Sequence, residues 1–361
     1  MLQGYYFYNA GDLLFKRVVL AIFELDDVRC YKLQSNLEYR HWTNEFRYTV
    51  FTNDQGFRTG PKRPHYSYEK DPDTYRVMLI GPSFAYGWGS TLEESYGTLI
   101  AEQLRVPGKR VELINIGTPA QGTVFQFCWL EKEGYKYAPD LILSTLYGIS
   151  VPPAVDSCPE ELLCPVIRDG AIYSTAPTLK LQIRAFFKNF ALVFYGFYAY
   201  NALISSDDEP SVEPGKELYS QRETAAVDNL ELVGMYRNFL DFVSSRMGKT
   251  TDVVFIYIPM GFIVHPEDMS RWIDFKNEDP YRIRTETTMQ VETLRHNGIE
   301  IVDTTPELVE RGAKERMYYW FDIHFTKAGN RAAADATLPT IQKLINRRFG
   351  LLDEMARRTT N

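Results

Sequence analysis

The sequence predicts an α/β protein, a three-layer α/β/α sandwich built on a five-stranded parallel sheet. Five short apolar runs rich in β-branched residues recur along the chain, and helical patterns separate them. Runs of this kind are typical of strands whose two faces are both covered, as in a parallel sheet. The five candidate strands are RVMLIG from position 76, RVELINIG from 110, DLILSTLYG from 140, DVVFIYIP from 252 and IEIVD from 299.

Helical patterns lie beside these strands. The stretch from Thr91, TLEESYGTLIAEQL, carries Glu93 and Glu94 near its amino end, where the helix dipole favours acids. After the last candidate strand, TKAGNRAAADATLPTIQKLINRRFG is amphipathic, and we expect it to pack across one face of the sheet.

Composition restricts the class of protein. The chain has 361 residues, of which 45% are hydrophobic and 24% charged, so it is globular and long enough for one large domain with insertions or for two domains. The net charge of -7 and the pI near 5.5 leave no diffuse basic surface to neutralise phosphates. Nucleic acid is therefore not expected as a partner.

The regions that break the alternation suggest a domain organisation. We expect residues 1–70 to form a helical and strand extension packed on the core, residues 71–350 to form the main domain with an insertion at about 152–235, and residues 351–361 to form a tail. The insertion carries a hairpin signal, IRDGAIY, and an aromatic helical run at 186–204 that is a candidate surface for a protein partner. In the extension, Asn53 and Arg58 are expected to order the chain by hydrogen bonds.

No segment reads as a signal peptide or a transmembrane span. The apolar stretch LLFKRVVLAIF is interrupted by Lys16 and Arg17 and is too short to cross a bilayer. A cytoplasmic location is the default expectation, while an exported or membrane-associated location stays open if the chain is a fragment. Of the four cysteines, Cys158 and Cys164 could pair in an oxidising compartment, and the other two, Cys30 and Cys128, resemble lone apolar fillers.

The stretch RVMLIGPSFAYGWGS places a serine directly after a buried strand. Ser83 could simply cap the following helix, with Gly81 supplying unusual backbone angles for the turn. It could also be a nucleophile, because open α/β sheets bind their ligands at the carboxyl ends of the strands.

A second stretch, YYWFDIHFTKAGNRAAA, favours the nucleophile. Asp322 and His324 lie two apart just before a helix that begins near Thr326, where the last loop can reach the same edge of the sheet as Ser83. A serine hydroxyl needs an imidazole to accept its proton, and the imidazole needs an acid that fixes its tautomer. The order predicts Ser83 as nucleophile, His324 as base and Asp322 as orienting acid.

The chain resembles the SGNH/GDSL hydrolase family, and within it the bacterial branch tied to acyl modification of surface and exopolysaccharides. IGPSFAYG resembles the first block of the family, VELINIGTPAQGT the second, DLILSTLYGIS the third and YYWFDIHFTKAGNRAAA the last. The resemblance implies a flavodoxin-like fold and the same three catalytic roles for Ser83, His324 and Asp322.

The resemblance also implies an oxyanion hole, and the chain departs from the family pattern in its third block and in its first. Backbone N–H groups of Ser83 and Ala120 would bind the oxyanion, with Gly122 nearby, but the third block has Ile149 and Ser150 where the family shows Asn. Ser150 could supply the missing donor. The acid of the first block is replaced by Pro82, which adjoins the nucleophile without belonging to the triad.

Four further residues are candidates for a substrate pocket, each with a structural alternative: Tyr86, Trp88, Asn115 and His265. Tyr86 and Trp88 could line an acyl or sugar pocket or belong to the core. Asn115 could bond the adjacent turn, and His265 is expected at the surface of a loop near the strand ends.

The sequence and the resemblance together predict a serine-dependent esterase acting on O-acyl groups, above all O-acetyl on a saccharide, or on another small ester, with no metal or cofactor. Transfer of the acyl group to a polysaccharide is an alternative. A non-catalytic module that binds glycan or protein is a second one, because an oxyanion donor is missing.

Overall fold

The computed structural model describes residues 22–43, 45–151, 158, 166–168, 171–173, 229–248, 250–271, 278–320 and 322–350. Five strands of these residues precede the first predicted parallel strand. They are β1 (Phe23–Asp26), β2 (Cys30–Leu33), β3 (Glu38–Trp42), β4 (Arg47–Thr52) and β5 (Arg58–Thr59). Strands β1 and β2 form a separate antiparallel hairpin, whereas β3, β4 and β5 are antiparallel neighbours in the main sheet.

The next elements alternate between strand and helix, as the sequence predicts. They are β6 (Thr74–Ile80), α1 (Ser83–Tyr86), α2 (Tyr96–Gln103), β7 (Arg110–Asn115), α3 (Thr123–Lys132) and β8 (Leu141–Gly148). A short 3-10 turn, Gly134–Tyr137, joins α3 to β8.

A small hairpin and the second half of the main sheet follow. These elements are β9 (Val166–Arg168), β10 (Ala171–Tyr173), α4 (Asn229–Met247), β11 (Asp252–Pro259), α5 (Gly261–Val264), α6 (Pro280–His296), β12 (Ile301–Asp303), α7 (Thr305–Gly312) and α8 (Lys327–Arg348). A 3-10 turn, Pro266–Arg271, follows α5.

The main sheet has eight strands in the order β12-β11-β8-β6-β7-β5-β4-β3. The first five are mutually parallel and correspond to the five predicted strands, so the predicted mixed α/β fold is confirmed. The amino-terminal strands add an antiparallel edge, because Arg58 of β5 pairs with Asn115 at the carboxyl end of β7. That edge lies beside the carboxyl end of β7.

Burial on both faces explains why the strands are continuous apolar runs. In β6, Val77 and Leu79 belong to one hydrophobic cluster, and Met78 and Ile80 belong to the cluster on the opposite face. Helices α2 and α8 cover the first face, and α3, α4 and α6 cover the second. A third cluster joins the amino-terminal strands to Trp88 after α1.

Helix ends agree with the sequence signals at one site and differ at another. Thr326 caps α8, since its Oγ1 accepts the N–H of Gly329 at 3.2 Å, which agrees with the predicted start. The stretch from Thr91 begins with turns, and α2 starts only at Tyr96, where Asn330 Oδ1 accepts the Tyr96 N–H.

The hairpin predicted from IRDGAIY is present as β9 and β10, whereas the aromatic run at 186–204 and the tail lie outside the described residues. Within the described ranges, no helix combines the length and the apolar character needed to cross a membrane.

The cysteine prediction was wrong. Cys128 pairs with Cys158, with an S–S distance of 2.12 Å, and Cys30 is also disulfide-bonded, so neither Cys30 nor Cys128 is a lone filler. Cys128 is buried on α3, and Cys158 packs against the hydrophobic cluster to which Phe127 and Trp129 of the same helix belong. Proximity in the sequence suggested Cys164 as the partner of Cys158. Disulfide pairing depends instead on proximity in space, and Cys128 lies within reach of Cys158.

Candidate active site

The nucleophile candidate lies at the carboxyl end of the central strand β6. Gly81 ends this strand with φ +151°, and a Cβ atom there would come within 2.6 Å of the Thr145 side chain, so only glycine fits the turn. Ser83 is the first residue of α1 and is half-buried. The turn therefore presents its hydroxyl at the edge of the sheet.

The loop between α7 and α8 carries the other two candidates. It is closed by an isolated antiparallel bridge between Tyr318 and Phe325, and the Tyr319 N–H donates to the His324 carbonyl at 3.0 Å. Asp322 and His324 lie inside this closed segment, immediately before the cap of α8. Local hydrogen bonds thus define where the two side chains stand.

A continuous chain of hydrogen bonds joins Ser83, His324 and Asp322. Ser83 Oγ lies 2.6 Å from His324 Nε2, and His324 Nδ1 lies 2.5 Å from Asp322 Oδ1. With the carboxylate accepting from Nδ1–H, the imidazole Nε2 is left as the acceptor for the serine hydroxyl. The structure thus brings together the three side chains that the sequence singles out.

The imidazole is held by its neighbours as well as by the acid. The His324 ring lies 4.9 Å from the Phe84 ring and 5.4 Å from the Trp88 ring. Only 7% of His324 is exposed. The ring therefore has little freedom to turn away from Ser83.

Asp322 is stabilised in its charged form. Burial alone would raise the pKa of this carboxyl, but the charge and hydrogen bonds of His324, together with a hydrogen bond from Trp88, lower the pKa below the ordinary value. The Trp88 Nε1–H donates to Oδ2 at 3.2 Å, while Oδ1 accepts the His324 backbone N–H at 2.9 Å. An ionised carboxylate is the form that orients an imidazole.

Two backbone N–H groups are candidates for an oxyanion hole. The N–H of Ser83 opens α1 and so has no acceptor inside that helix. Ala120 follows Pro119 in the left-handed region, with φ 62°, in the loop between β7 and α3. Gly122 caps the start of α3 and is exposed, and Gly117 is excluded as a donor because its N–H donates to Asn115 Oδ1 at 2.9 Å.

The third block differs from the family here as the sequence indicates. Ile149 packs against the hydrophobic core, and its carbonyl accepts from Thr287 Oγ1 at 3.2 Å. Ser150 is half-buried, and its hydroxyl forms no hydrogen bond with the residues that the structure describes. That hydroxyl is the side-chain donor left at this position.

Two of the candidate pocket residues are occupied by structural contacts. Tyr86 is fully buried, with its ring under the Arg58 guanidinium at 4.5 Å, and so contributes no exposed wall. Asn115 donates from Nδ2 to the Ala85 carbonyl at 2.8 Å and accepts from Gly117, which matches its structural alternative.

The other two candidates also have defined contacts. Trp88 is buried beside the triad candidates, and its indole N–H donates to Asp322. His265 was expected at the surface, but it is buried, since its Nε2 accepts the Met317 N–H at 3.1 Å and its ring faces Tyr318. The backbone hydrogen bond and the aromatic contact hold this side chain inside.

Two residues of the amino-terminal extension hold the site: Arg58, for which the sequence predicts only an ordering role by hydrogen bonds, and Glu45, which sequence reasoning missed. Arg58 is buried and donates to the carbonyls of Tyr86, Gly87 and Ser90, at the end of the helix that Ser83 begins. Glu45 accepts backbone N–H groups of the loop that carries Asp322. No local spacing signals either contact, because each joins segments that are distant in the chain.

The comparison with protein families finds a match in the carboxyl-terminal part of the chain. The model described as SGNH hydrolase-like domain, acetyltransferase AlgX, matches residues 216–361, which include Asp322 and His324. The predicted resemblance to SGNH hydrolases is confirmed by this match. No curated protein is significantly similar to the chain.

Solved structures with similar chains have low sequence identity. LAE5, an alpha/beta hydrolase enzyme from the metagenome of Lake Arreo, Spain, is 13% identical with a TM-score of 0.38, covering 76% of this chain and 96% of its own. Axe2, an acetylxylan esterase from Geobacillus stearothermophilus, is 12% identical with a TM-score of 0.38, covering 74% and 94%. A G-D-S-L family lipolytic protein from Veillonella parvula is 9% identical with a TM-score of 0.37, covering 73% and 96%.

Proposed function

We propose that this SGNH hydrolase-like protein is a serine-dependent acyl-ester enzyme in which Ser83 is the nucleophile, His324 the general base and Asp322 the orienting acid. The observation that carries the proposal is the unbroken chain from Ser83 Oγ to His324 Nε2 at 2.6 Å and from His324 Nδ1 to Asp322 at 2.5 Å. The first distance lies within the reach that proton transfer from the serine hydroxyl requires, and the second joins the imidazole to the acid that orients it.

The reaction proceeds through an acyl-enzyme. Ser83 Oγ attacks the ester carbonyl as His324 Nε2 takes the hydroxyl proton, which gives a tetrahedral intermediate. The C–O bond to the leaving alcohol then breaks, and His324 returns the proton to that alcohol. In the second half, an acceptor hydroxyl attacks the acyl carbonyl, His324 takes its proton, and Ser83 leaves with the proton restored.

Backbone and side-chain donors stabilise the oxyanion in this scheme. The N–H groups of Ser83 and Ala120 bind the developing negative charge, with Gly122 beside them. Loss of one oxyanion donor typically lowers turnover by about two to three orders of magnitude. The Ser150 hydroxyl is therefore proposed as the third donor, in place of the family asparagine.

The proposed substrate is an O-acyl group, in particular O-acetyl, on a saccharide. Support for acetyl comes from the description of the matching family model, which names an acetyltransferase. The same description favours transfer as a second candidate function, in which a saccharide hydroxyl replaces water as acceptor. The two reactions share the acyl-enzyme and differ in how the site excludes water.

The disulfides bear on the compartment. Cys30, Cys128 and Cys158 are all oxidised, and disulfides persist mainly in oxidising environments. This favours an exported location over the cytoplasm, and a saccharide at the cell surface is a substrate that fits such a location.

A non-catalytic binding module is the candidate function from a different class, and the missing third-block asparagine favours it. Hydrolysis of p-nitrophenyl acetate by the wild type and by Ser83→Ala separates the two. Ser245→Ala is the matched control, because Ser245 lies exposed on α4.

We expect Ser83→Ala to lose about three orders of magnitude in activity or more, and to lose labelling of the protein by a fluorophosphonate. The control is expected to keep both. Folded wild-type protein with neither activity nor labelling would support the binding module. Activity that survives in Ser83→Ala would instead contradict the role of Ser83 as the nucleophile.

A further inference from the structure

The carboxylate of Glu45 accepts two backbone N–H groups from the loop that carries Asp322. Oε1 lies 2.6 Å from the Trp320 nitrogen, and Oε2 lies 3.0 Å from the Asp322 nitrogen. The two donors are alternate residues of one loop, so a single planar carboxylate fixes both its position and its direction. Hydrogen bonds to a charged acceptor are about twice as strong as neutral ones.

The turn that presents Glu45 is itself fixed. Thr43 Oγ1 accepts the N–H groups of Glu45 and Phe46, both at 3.1 Å, and the Thr43 N–H donates to the Phe46 carbonyl at 2.8 Å. These bonds close the connection between β3 and β4. Glu45 is therefore held on a rigid hairpin.

The same hairpin is attached to the rest of the site by aromatic contacts. The Phe46 ring lies 5.1 Å from the Tyr319 ring, and Tyr319 Oη donates to the Gly89 carbonyl at 2.9 Å. The His41 ring lies 4.8 Å from the Trp88 ring in an edge-to-face arrangement. The hairpin thus contacts both the segment after Ser83 and the loop before His324.

We infer that Glu45 is a positioning residue that sets the backbone of Asp322, and through it the orientation of His324 toward Ser83. The inference rests on the proposed function. Asp322 Oδ1 accepts from the ring Nδ1 and from the backbone N–H of His324, so a displacement of the Asp322 backbone moves the imidazole. A displacement of about 1 Å in a catalytic group can lower the rate by about a hundredfold.

The inference assigns a role to the amino-terminal strands. Arg58 binds the end of the helix that begins with Ser83, and Gln121 Nε2, in the loop that carries Ala120, donates to the Arg29 carbonyl at 3.2 Å. Glu45 supplies the hydrogen bonds of this region to the loop that carries Asp322, beside the ring contact of Phe46 with Tyr319. The strands therefore complete the site and do not merely extend the sheet.

The test compares Glu45→Ala and Glu45→Gln with Glu38→Ala. Glu38 is a matched control, because it lies on the same hairpin, carries the same charge and, among the residues that the structure describes, forms its ion pair with Arg63, at 2.8 Å. Ester hydrolysis is measured as separate kcat and KM values, and amide hydrogen exchange is followed in peptides that cover residues 318–326.

We expect Glu45→Ala to lower kcat by about 10- to 100-fold with KM within about twofold of the wild type. Glu45→Gln keeps one carbonyl acceptor, and so is expected to recover part of the lost kcat. Exchange at residues 318–326 is expected to rise in Glu45→Ala and to match the wild type in Glu38→Ala.

Other outcomes overturn the inference. A Glu45→Ala protein with the kcat and exchange of Glu38→Ala would show that Glu45 positions nothing, as would a change confined to KM. The exchange measurement needs no activity. Faster exchange in Glu45→Ala together with an inactive wild type would therefore keep the role of Glu45 in holding the Asp322 loop and reject only the proposed function.

Discussion

The indole nitrogen of Trp88 donates to Asp322 Oδ2 at 3.2 Å, while the Trp88 ring lies 5.4 Å from the ring of His324. One side chain thus binds Asp322 and lies beside the imidazole of His324. Trp88 comes five residues after Ser83, so the segment that carries the proposed nucleophile also supports the other two triad candidates.

Removal of the indole donor tests this support. Trp88→Phe keeps an aromatic ring and loses the hydrogen bond, and a hydrogen bond to a charged group contributes about 1.5–3 kcal/mol. We expect kcat for ester hydrolysis to fall by about 10- to 100-fold with KM little changed. Trp129→Phe, in a different hydrophobic cluster from Trp88, is the control, and equal kcat values in the two variants would contradict the role.

The sequence predicts the five parallel strands and the juxtaposition of Ser83 with His324 for a common reason. Strands buried on both faces must be apolar along their length, as in β6, where all seven residues are buried. The carboxyl ends of such strands meet at one edge, so residues that follow them converge. Pattern and topology are sufficient for this part of the site.

The remaining parts depend on contacts that leave no local pattern. The hydrogen bond from Asp322 to Glu45 spans 277 positions, and the bond from Arg58 to the Gly87 carbonyl spans 29. Neither an acid in the turn between β3 and β4 nor an arginine in β5 is unusual. Pairing of β5 with β7 brings Arg58 to the site, and pairing of β5 with β4 and of β4 with β3 brings the turn that carries Glu45; register of this kind is set by the whole sheet.

Ser150 is predicted to act as the third oxyanion donor. Ser150→Ala removes the hydroxyl without enlarging the side chain, and we expect kcat for p-nitrophenyl acetate to fall by about tenfold or more. Ser150→Thr keeps a hydroxyl and is expected to restore part of the rate. An unchanged kcat in Ser150→Ala would mean that the two backbone donors suffice or that another group supplies the third.

His41 makes the folded state sensitive to acid. Burial lowers the pKa of His41 to about 3, against an opposing effect of Asp322, while the charges of His324 and Arg58 lower it further. Between pH about 6.5 and 3, the unfolded chain therefore binds a proton at His41 that the folded chain does not bind. The stability of the folded state consequently falls as the pH falls through that window. Between pH 7 and pH 5 the loss amounts to about 2 kcal/mol.

His41→Phe removes the titrating group while keeping a ring beside Trp88. We expect its free energy of unfolding in urea to change less between pH 7 and pH 5 than that of the wild type, even where the loss of the contact between His41 and Tyr48, at 2.9 Å, lowers stability at both values. His296→Gln, at an exposed position on α6, should keep the wild-type dependence. A His41→Phe protein with the same pH dependence as the wild type would mean that His41 binds protons equally in the folded and the unfolded state. The acid sensitivity would then lie with other groups.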